Sequence, residues 1–319
     1  MRTVICAGLA LALVVGGAWV GVSAQEQKPA GSATTDAGVM KVGVSAQEQK
    51  SAGPRILFLS KSAGFEHSAI RWADLKKSHV GSILEQVVAE DMGGTVLQTK
   101  DAGLVNAENL KNYDVVVFYT TGDLTQTGTD GQPAMSPEGV SDLIAWVNQG
   151  GGFIGFHSTT DTFHSEGDTP SPFIQLIGGE FLTHGKQFEG RVKVVSPEHP
   201  CTQNMPATWT MNDEWYAFRN LDTEGMHVLA LLQPGEQRAE QPDKYNIPDY
   251  PIAWVRKQGE GRVYYNAMGH REDVWIDATF QKTMVDAINW AMGKGELDAA
   301  PNYHEVVPTT ITEAKREGS

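Results

Sequence analysis

Histidines are the residues of this chain best equipped for chemistry. His67, His157, His164, His184, His199, His227 and His270 fall at or near loop positions, whereas His79 lies mid-helix and His304 near the end of the chain. An imidazole titrates close to neutral pH, serves as general acid or base, and is the commonest side-chain metal ligand. His157 has the most telling setting. The run Gly150 to Asp161 reads as a glycine turn, a short apolar strand and a small-residue turn that exposes one polar side chain. Several hydrolytic α/β folds present a nucleophile on such a strand-to-helix turn. Here the position holds His157, with Asp161 one helical turn on as a carboxylate that can orient the ring. His67, in Gly64-Phe65-Glu66-His67-Ser68, sits in another loop next to a helix start. His270, in Met268-Gly269-His270-Arg271-Glu272-Asp273-Val274-Trp275, directly follows a strand. The expected catalytic groups are therefore His67, His157 and His270, with Asp161 as orienter. The plainer alternatives are a helix-capping His67, a backbone-bonded His157 and a turn histidine at 270. His227 opens a strand and reads as structural.

Asp213-Glu214-Trp215-Tyr216 packs two carboxylates against two aromatic rings. Aromatic faces beside acids suit a sugar, whose C–H faces stack while its hydroxyls bond to carboxylates. Asp213, Glu214, Trp215, Asp123 and Trp275 are thus the expected substrate-binding residues. On an extended strand adjacent side chains alternate, so only one of Asp213 and Glu214 is expected to point inward. The bland alternative is a core tryptophan with surface acids. Imidazoles from separate loops, His67, His157 and His184, can also hold a divalent transition metal such as zinc. No compact metal motif supports this: H-E-x-x-H and C-x-x-C are both missing, as are the phosphate-cradling and dinucleotide glycine patterns.

These residues must be carried by an α/β framework. Arg55 to Ser60, Asp114 to Tyr119 and Phe153 to Phe156 are continuously apolar, as strands buried on both faces are. Thr95 to Thr99 is a further strand. Helical spacing runs from Ser68 to Met92, ending at Gly93-Gly94, and another helix opens at Ser136-Pro137-Glu138. The expectation is a doubly wound, mostly parallel sheet flanked by helices. Its ligands should bind beyond the carboxyl ends of the strands, where the loops with His67, Asp123 and His157 meet. The second half is richer in strands: Phe188 to Val195, His227 to Gln233, Pro251 to Lys257 and Gly261 to Met268. Pro234 to Tyr250 reads as a loop or lid, Asp277 to Met292 as the last helix, and 294–319 as a tail lying loosely on the surface.

The 319 residues carry a formal net charge of -14, which disfavours nucleic acid and anionic lipid as partners. Residues 1–24 have the form of an export signal: Arg2, an apolar stretch, and Val22-Ser23-Ala24 as a cleavage site. The mature chain is expected to be periplasmic or extracellular, without stable membrane insertion. Residues 25–53 are poor in large apolar side chains and read as a disordered linker. Within them Val42 to Lys50 repeats Val20 to Lys28 unchanged, which offers a second cleavage site after Ala46. Only Cys201 is a thiol of the mature chain, and its turn-like surroundings suggest no catalytic pairing.

Taken in order, Gly64 to His67, Thr121-Gly122-Asp123, Gly150 to Asp161, Gly178-Gly179-Glu180-Phe181 through His184, Asp213 to Tyr216, Tyr250 to Trp254 and Gly269 to Trp275 make the chain resemble the trehalose-utilisation, or ThuA-like, family. The resemblance covers residues 54–293. It implies a fold related to class I glutamine amidotransferases, with a histidine where their nucleophile stands, so glutaminase chemistry is not expected. Many relatives have His-Pro where this chain has His184-Gly185. The resemblance further implies a carbohydrate partner and a hydrolase or isomerase acting on glycosides or 3-keto-sugars. The rivals are a non-catalytic carbohydrate-binding domain and a partner-binding protein on the same scaffold.

Overall fold

The computed structural model describes residues 53–311 except 74, 75, 168 and 297. The expected signal 1–24, all but the last residue of the expected linker, and residues 312–319 lie outside the described residues. The strands are β1 (Arg55–Leu59), β2 (Thr95–Thr99), β3 (Val115–Phe118), β4 (Gly152–Phe156), β5 (Glu180–His184), β6 (Phe188–Val194), β7 (Thr208–Asp213), β8 (Tyr216–Arg219), β9 (His227–Gln233), β10 (Tyr250–Gln258) and β11 (Gly261–Asn266). The helices are α1 (His79–Met92), α2 (Ala107–Leu110), α3 (Gly139–Asn148), α4 (Pro172–Ile177), α5 (Gln237–Glu240), α6 (Pro242–Tyr245), α7 (Glu272–Trp275), α8 (Ala278–Ala291) and α9 (Tyr303–Val306).

Nine strands form one sheet in the order β2-β1-β3-β4-β11-β10-β9-β6-β7, and β5 pairs with β8 in a second, two-stranded sheet. The pairs from β2 to β11 are parallel, and those from β11 onward are antiparallel. It follows that β1 to β4, β7, β9 and β11 run one way and only β6 and β10 run against them. The carboxyl ends of β1, β3, β4, β7 and β11 therefore open onto one edge. The apolar runs behave as their composition requires, since Ile56 to Leu59, Val115 to Phe118, Phe153 and Ile154 are almost fully buried.

Three elements differ from the sequence expectation. The helix expected from Ser68 starts only at His79, where Ser78 caps it by accepting from Gly81 N. Ahead of it Ser68–Ile70 forms a 3-10 turn, and Lys76 takes a φ of 56° that no helix interior accepts. The polar segment before β10 is no open lid. It folds into α5 and α6, and Tyr245 is buried with its hydroxyl bonded to Trp215 O (2.8 Å) and Gly185 N (2.8 Å). Arg238 pairs with the buried Asp249 in the same segment. The tail is docked rather than loose: His199 Nε2 bonds to Asp298 O (2.7 Å), His227 Nδ1 to Ala300 O (2.6 Å), and Asn302 Oδ1 accepts from Val228 N (2.6 Å). Polar composition was a poor guide there, because backbone carbonyls and the Asn302 amide do the docking.

Candidate functional site

Five strand ends deliver the site. Beyond β1, the loop to His67 is anchored by two buried lysines. Lys61 Nζ donates to Thr127 O (2.6 Å) and Gln132 O (2.7 Å), and Lys100 Nζ to Ser60 O (2.6 Å), with Glu66 Oε1 at 3.1 Å. Beyond β4, His157 takes a φ of 43°, a left-handed conformation costly for a side chain with a Cβ. Tyr265 holds the strained residue by donating to His157 O (2.7 Å), and Nδ1 of its ring lies 2.8 Å from Ala267 O. A carbonyl only accepts, so Nδ1 carries the proton and Nε2 presents its lone pair to the site.

His270 depends on its neighbours for position. Gly269 has a φ of 116°, and a Cβ there would meet the Trp275 ring at 2.9 Å, so the turn accepts glycine only. Tyr119 and Trp275 both donate to Gly269 O, at 3.0 and 2.9 Å. From beneath, Asp213 accepts from Gly269 N (2.7 Å) and Arg271 N (3.2 Å).

The side chains of His67, His157, His270 and Glu214 then face one another. Each offers one ligand atom, and these atoms all lie within 4.8 Å of one another. His270 Nδ1 is 3.3 Å from His157 Nε2 and 3.1 Å from Glu214 Oε2, which is 3.6 Å from His157 Nε2. Glu214 Oε1 reaches His184 Nδ1 at 3.1 Å. The His67 ring stands nearly perpendicular to those of His157 and His270, with centroids 4.9 and 5.1 Å away, and its buried Nδ1 has no hydrogen-bond partner. Tyr216 packs on His157 at 4.4 Å between centroids, and the exposed Phe65 meets His67 edge-on at the rim.

The electrostatics follow from burial and proximity. Burial, reinforced by the other two imidazoles, pushes His67 down to about 2, so its ring is neutral. Burial alone would lower His270 too, but the hydrogen bond and charge of Glu214 raise it. Glu214 answers in kind: burial opposes its ionisation, yet the His157 and His270 imidazoles beside it hold it well below the usual carboxylate range. Asp213, deeper in the protein, is raised by burial.

Not every expected site residue comes to this point. Asp161 does not orient His157. Residues 157–161 form a 3-10 turn, in which positions three apart align and a residue four on is rotated away. Asp161 instead bonds to His164 Nε2 at 2.6 Å, and the carbonyl of Ala267 orients His157. Trp215 and Trp275 are fully buried with their Nε1 groups on Phe188 O and Gly269 O, so neither offers a face to a ligand. Asp123 caps its own loop through Thr125 N and Oγ1 and is not among the grouped ligand atoms; it lines a cavity with His164 instead. His184, expected with His67 and His157, stays outside their cluster. It sits on β5, opposite Tyr216 of β8, and touches Glu214 from the solvent side with its side chain 42% exposed. His270 and Glu214 take the place expected of it. The expectation that only one of Asp213 and Glu214 turns inward also fails. β7 ends at Asp213 and β8 starts at Tyr216, so strand alternation is interrupted between them and both carboxylates are buried.

Sequence reasoning passed over Tyr119, which walls the cluster together with Tyr216, and the grouping around Glu180. There His164 Nδ1 lies 2.9 Å from Glu180 Oε1, while Ser165, Arg219 and Asn220 all donate to the same buried carboxylate. The signal for Tyr119 was its place at the end of a buried strand. Glu180 gave none.

A seven-to-two strand polarity with a histidine–carboxylate cluster at the shared carboxyl edge defines an α/β protein with its site at the strand ends. The chain belongs to the ThuA family, described as trehalose utilisation, whose profile matches residues 55–291. It is therefore tied to carbohydrate metabolism. Among solved structures it is similar to a ThuA-like protein from Bacteroides uniformis ATCC 8492, with 22% identity, a TM-score of 0.61, and coverage of 81% of this chain and 99% of the other. A ThuA-like protein from Parabacteroides merdae ATCC 43184 is similar at 14% identity and a TM-score of 0.58, covering 75% of this chain and 90% of the other. These likenesses bear on the fold. Among curated proteins there is no match.

Proposed function

We propose that this protein is an exported enzyme that hydrolyses or isomerises a carbohydrate, a glycoside or keto-sugar of the kind met in disaccharide use. The observation that carries the reading is the Glu214 carboxylate, buried yet with an imidazole nitrogen 3.1 Å from each oxygen, His270 at one and His184 at the other. A binding module needs polar groups that match hydroxyls. It has no need of a strained histidine or of an ionised carboxylate held among rings, both of which cost stability. His184 and, to a lesser degree, His270 are the imidazoles that a substrate can reach, since His67 and His157 are buried. In this reading the substrate oxygen approaches past Phe65 and His184, and Glu214 keeps His184 and His270 in place. Export rests on the N-terminal sequence alone. Among the described residues no helix is long and apolar enough to cross a membrane.

The test is turnover of trehalose, other disaccharides and their 3-keto forms by the full chain, supplied with divalent metals. Product formation that disappears in Glu214→Gln supports the reading. Saturable sugar binding without turnover of any panel member transfers the protein to the non-catalytic alternative.

A further inference from the structure

We propose that His67, His157, His270 and Glu214 together bind one divalent first-row transition-metal ion. The inference deepens the proposed function, resting on it only for what the ion does to a substrate.

Three observations carry it. The first is spacing. Metal–ligand bonds of about 2.0–2.2 Å set tetrahedral ligand atoms roughly 3.3–3.6 Å apart, and octahedral ones roughly 3 Å apart. The triangle of His157 Nε2, His270 Nδ1 and Glu214 Oε2 has edges of 3.1, 3.3 and 3.6 Å. His67 adds a ring nitrogen within 4.8 Å of all three.

The second observation is tautomer control. A ligating histidine donates its other N–H to a carbonyl or carboxylate, which turns the free lone pair to the metal. His157 does so through Nδ1 to Ala267 O, from a left-handed backbone conformation at the turn that ends β4. The backbone of the His270 loop is held as firmly, by Asp213 below and by Tyr119 and Trp275 above. Such support is what a preorganised ligand set needs.

The third is polar satisfaction. Buried polar atoms are nearly always paired, because an unpaired one forfeits its hydration. Two buried rings and the partly exposed His270 meet here beside one carboxylate, and His67 Nδ1 is left without a partner. Two imidazoles meeting nitrogen to nitrogen at 3.3 Å do not relieve this, since a bond between them leaves the third ring unserved. A cation at the shared point satisfies lone pairs of all the rings at once.

The donor set, imidazole nitrogens and one carboxylate oxygen, suits borderline ions such as zinc, manganese, iron(II), cobalt or nickel better than calcium or magnesium. His184 lies outside the set on the other oxygen of Glu214, and His270, 19% exposed, gives the set its contact with solvent, where a substrate oxygen or water would approach. Bound there, the ion acts as a Lewis acid on that oxygen.

Metal uptake by the full chain, produced without a His-tag and stripped with chelator, tests the site without any sugar. Zn²⁺, Mn²⁺, Co²⁺ and Ni²⁺ are each titrated alone by calorimetry, with elemental analysis after gel filtration. Expected is one equivalent of at least one ion, and for cobalt a visible d–d band in the wild-type protein. Glu214→Gln and His270→Gln should each weaken uptake by about 100-fold or more, whereas His164→Gln should leave it unchanged. Near-UV circular dichroism identifies any variant that has not folded, and the wild-type cobalt band does not depend on variants. Less than about a tenth of an equivalent of every ion, the level of adventitious binding, overturns the proposal. So does uptake that His270→Gln and Glu214→Gln leave intact. Because no substrate is present, stoichiometric uptake stands even if no sugar is turned over. Equal turnover by stripped and loaded protein would remove the ion from the reaction, overturning its Lewis-acid role while leaving the enzyme reading in place.

Discussion

Two histidine–carboxylate clusters lie in this molecule, and they are built on opposite principles. Around Glu214, two buried rings and the partly exposed His270 crowd one carboxylate, His67 Nδ1 is left unpaired, and His157 is strained. Around Glu180, the accounts close. His164 gives one ring nitrogen to Glu180 and the other to Asp161, and Arg219, Asn220 and Ser165 complete the carboxylate. The second cluster raises His164, through the Asp161 bond first, and draws Glu180 down to about 2 against the penalty of burial. Fully satisfied networks stabilise a fold, whereas arrangements that leave polar atoms over are kept for what they bind. Counting histidines does not separate the two clusters, but counting their partners does.

The sharpest test of that contrast is Glu214→Gln. If the first cluster serves chemistry, the substitution lowers turnover by about 10³-fold, in the range of lost acid–base or ligand groups, while the melting temperature stays within a few degrees. A variant that unfolds instead would make the two clusters equivalent. Glu180→Gln should give the mirror result. It leaves the Arg219 and His164 cations facing each other without their buried counter-charge, at a cost of about 3 kcal/mol in urea unfolding. Turnover at low temperature should survive, and a loss of activity without a loss of stability would contradict the division of roles.

pH sharpens the contrast further. The folded-state pKa of His164 is raised, so its contribution is complete below about 6.5, the unfolded value, and fades as pH rises through the raised value. Glu180 works the other way. Its pKa is depressed to about 2, so its contribution is complete above about 4.5 and fades as pH falls toward 2. The stability difference between wild type and His164→Gln should be largest near pH 6 and shrink by pH 9. The ring is partly exposed, so the difference stays at about 1 kcal/mol or less. A gap that widens with pH would reverse the assigned protonation. The smallest effect is expected of Trp275→Phe, which keeps the ring packing but removes one of two donors to Gly269 O. It should cost about 1 kcal/mol and slow turnover only a few-fold, since Tyr119 still holds the carbonyl. If turnover falls as far as in Glu214→Gln, the ring itself touches substrate, and its reading as a buried support is wrong.

Much of this was legible in the residues. The apolar runs Ile56 to Leu59, Val115 to Phe118 and Phe153 to Phe156 read as doubly buried strands because a strand covered on both faces carries no alternation. Parallel strands with helical connections place their loops at one edge, so His67, His157 and His270 could be grouped before any coordinates were considered. The family could be read from motifs in order. The short strands β5 and β8 were not legible, since Glu180–His184 and Tyr216–Arg219 are too short and mixed to show a period, and the alternation of Thr208–Asp213 in β7 was overlooked.

What tertiary structure alone decided is which polar groups meet. Asp161 and His157 are four apart in sequence, but a 3-10 turn separated them and gave Asp161 to His164. Glu214 and His270 are 56 positions apart, and only the polarity of β7 and β11 brought them within 3.1 Å. Trp215, a sugar platform by composition, became core because the break after β7 turned it under Gly190. Sequence determines the period and apolarity of each element, since those are local properties of the chain. Partnership between side chains depends on strand direction, on turn type and on which carbonyl ends nearest a ring, and these are settled only when the elements pack.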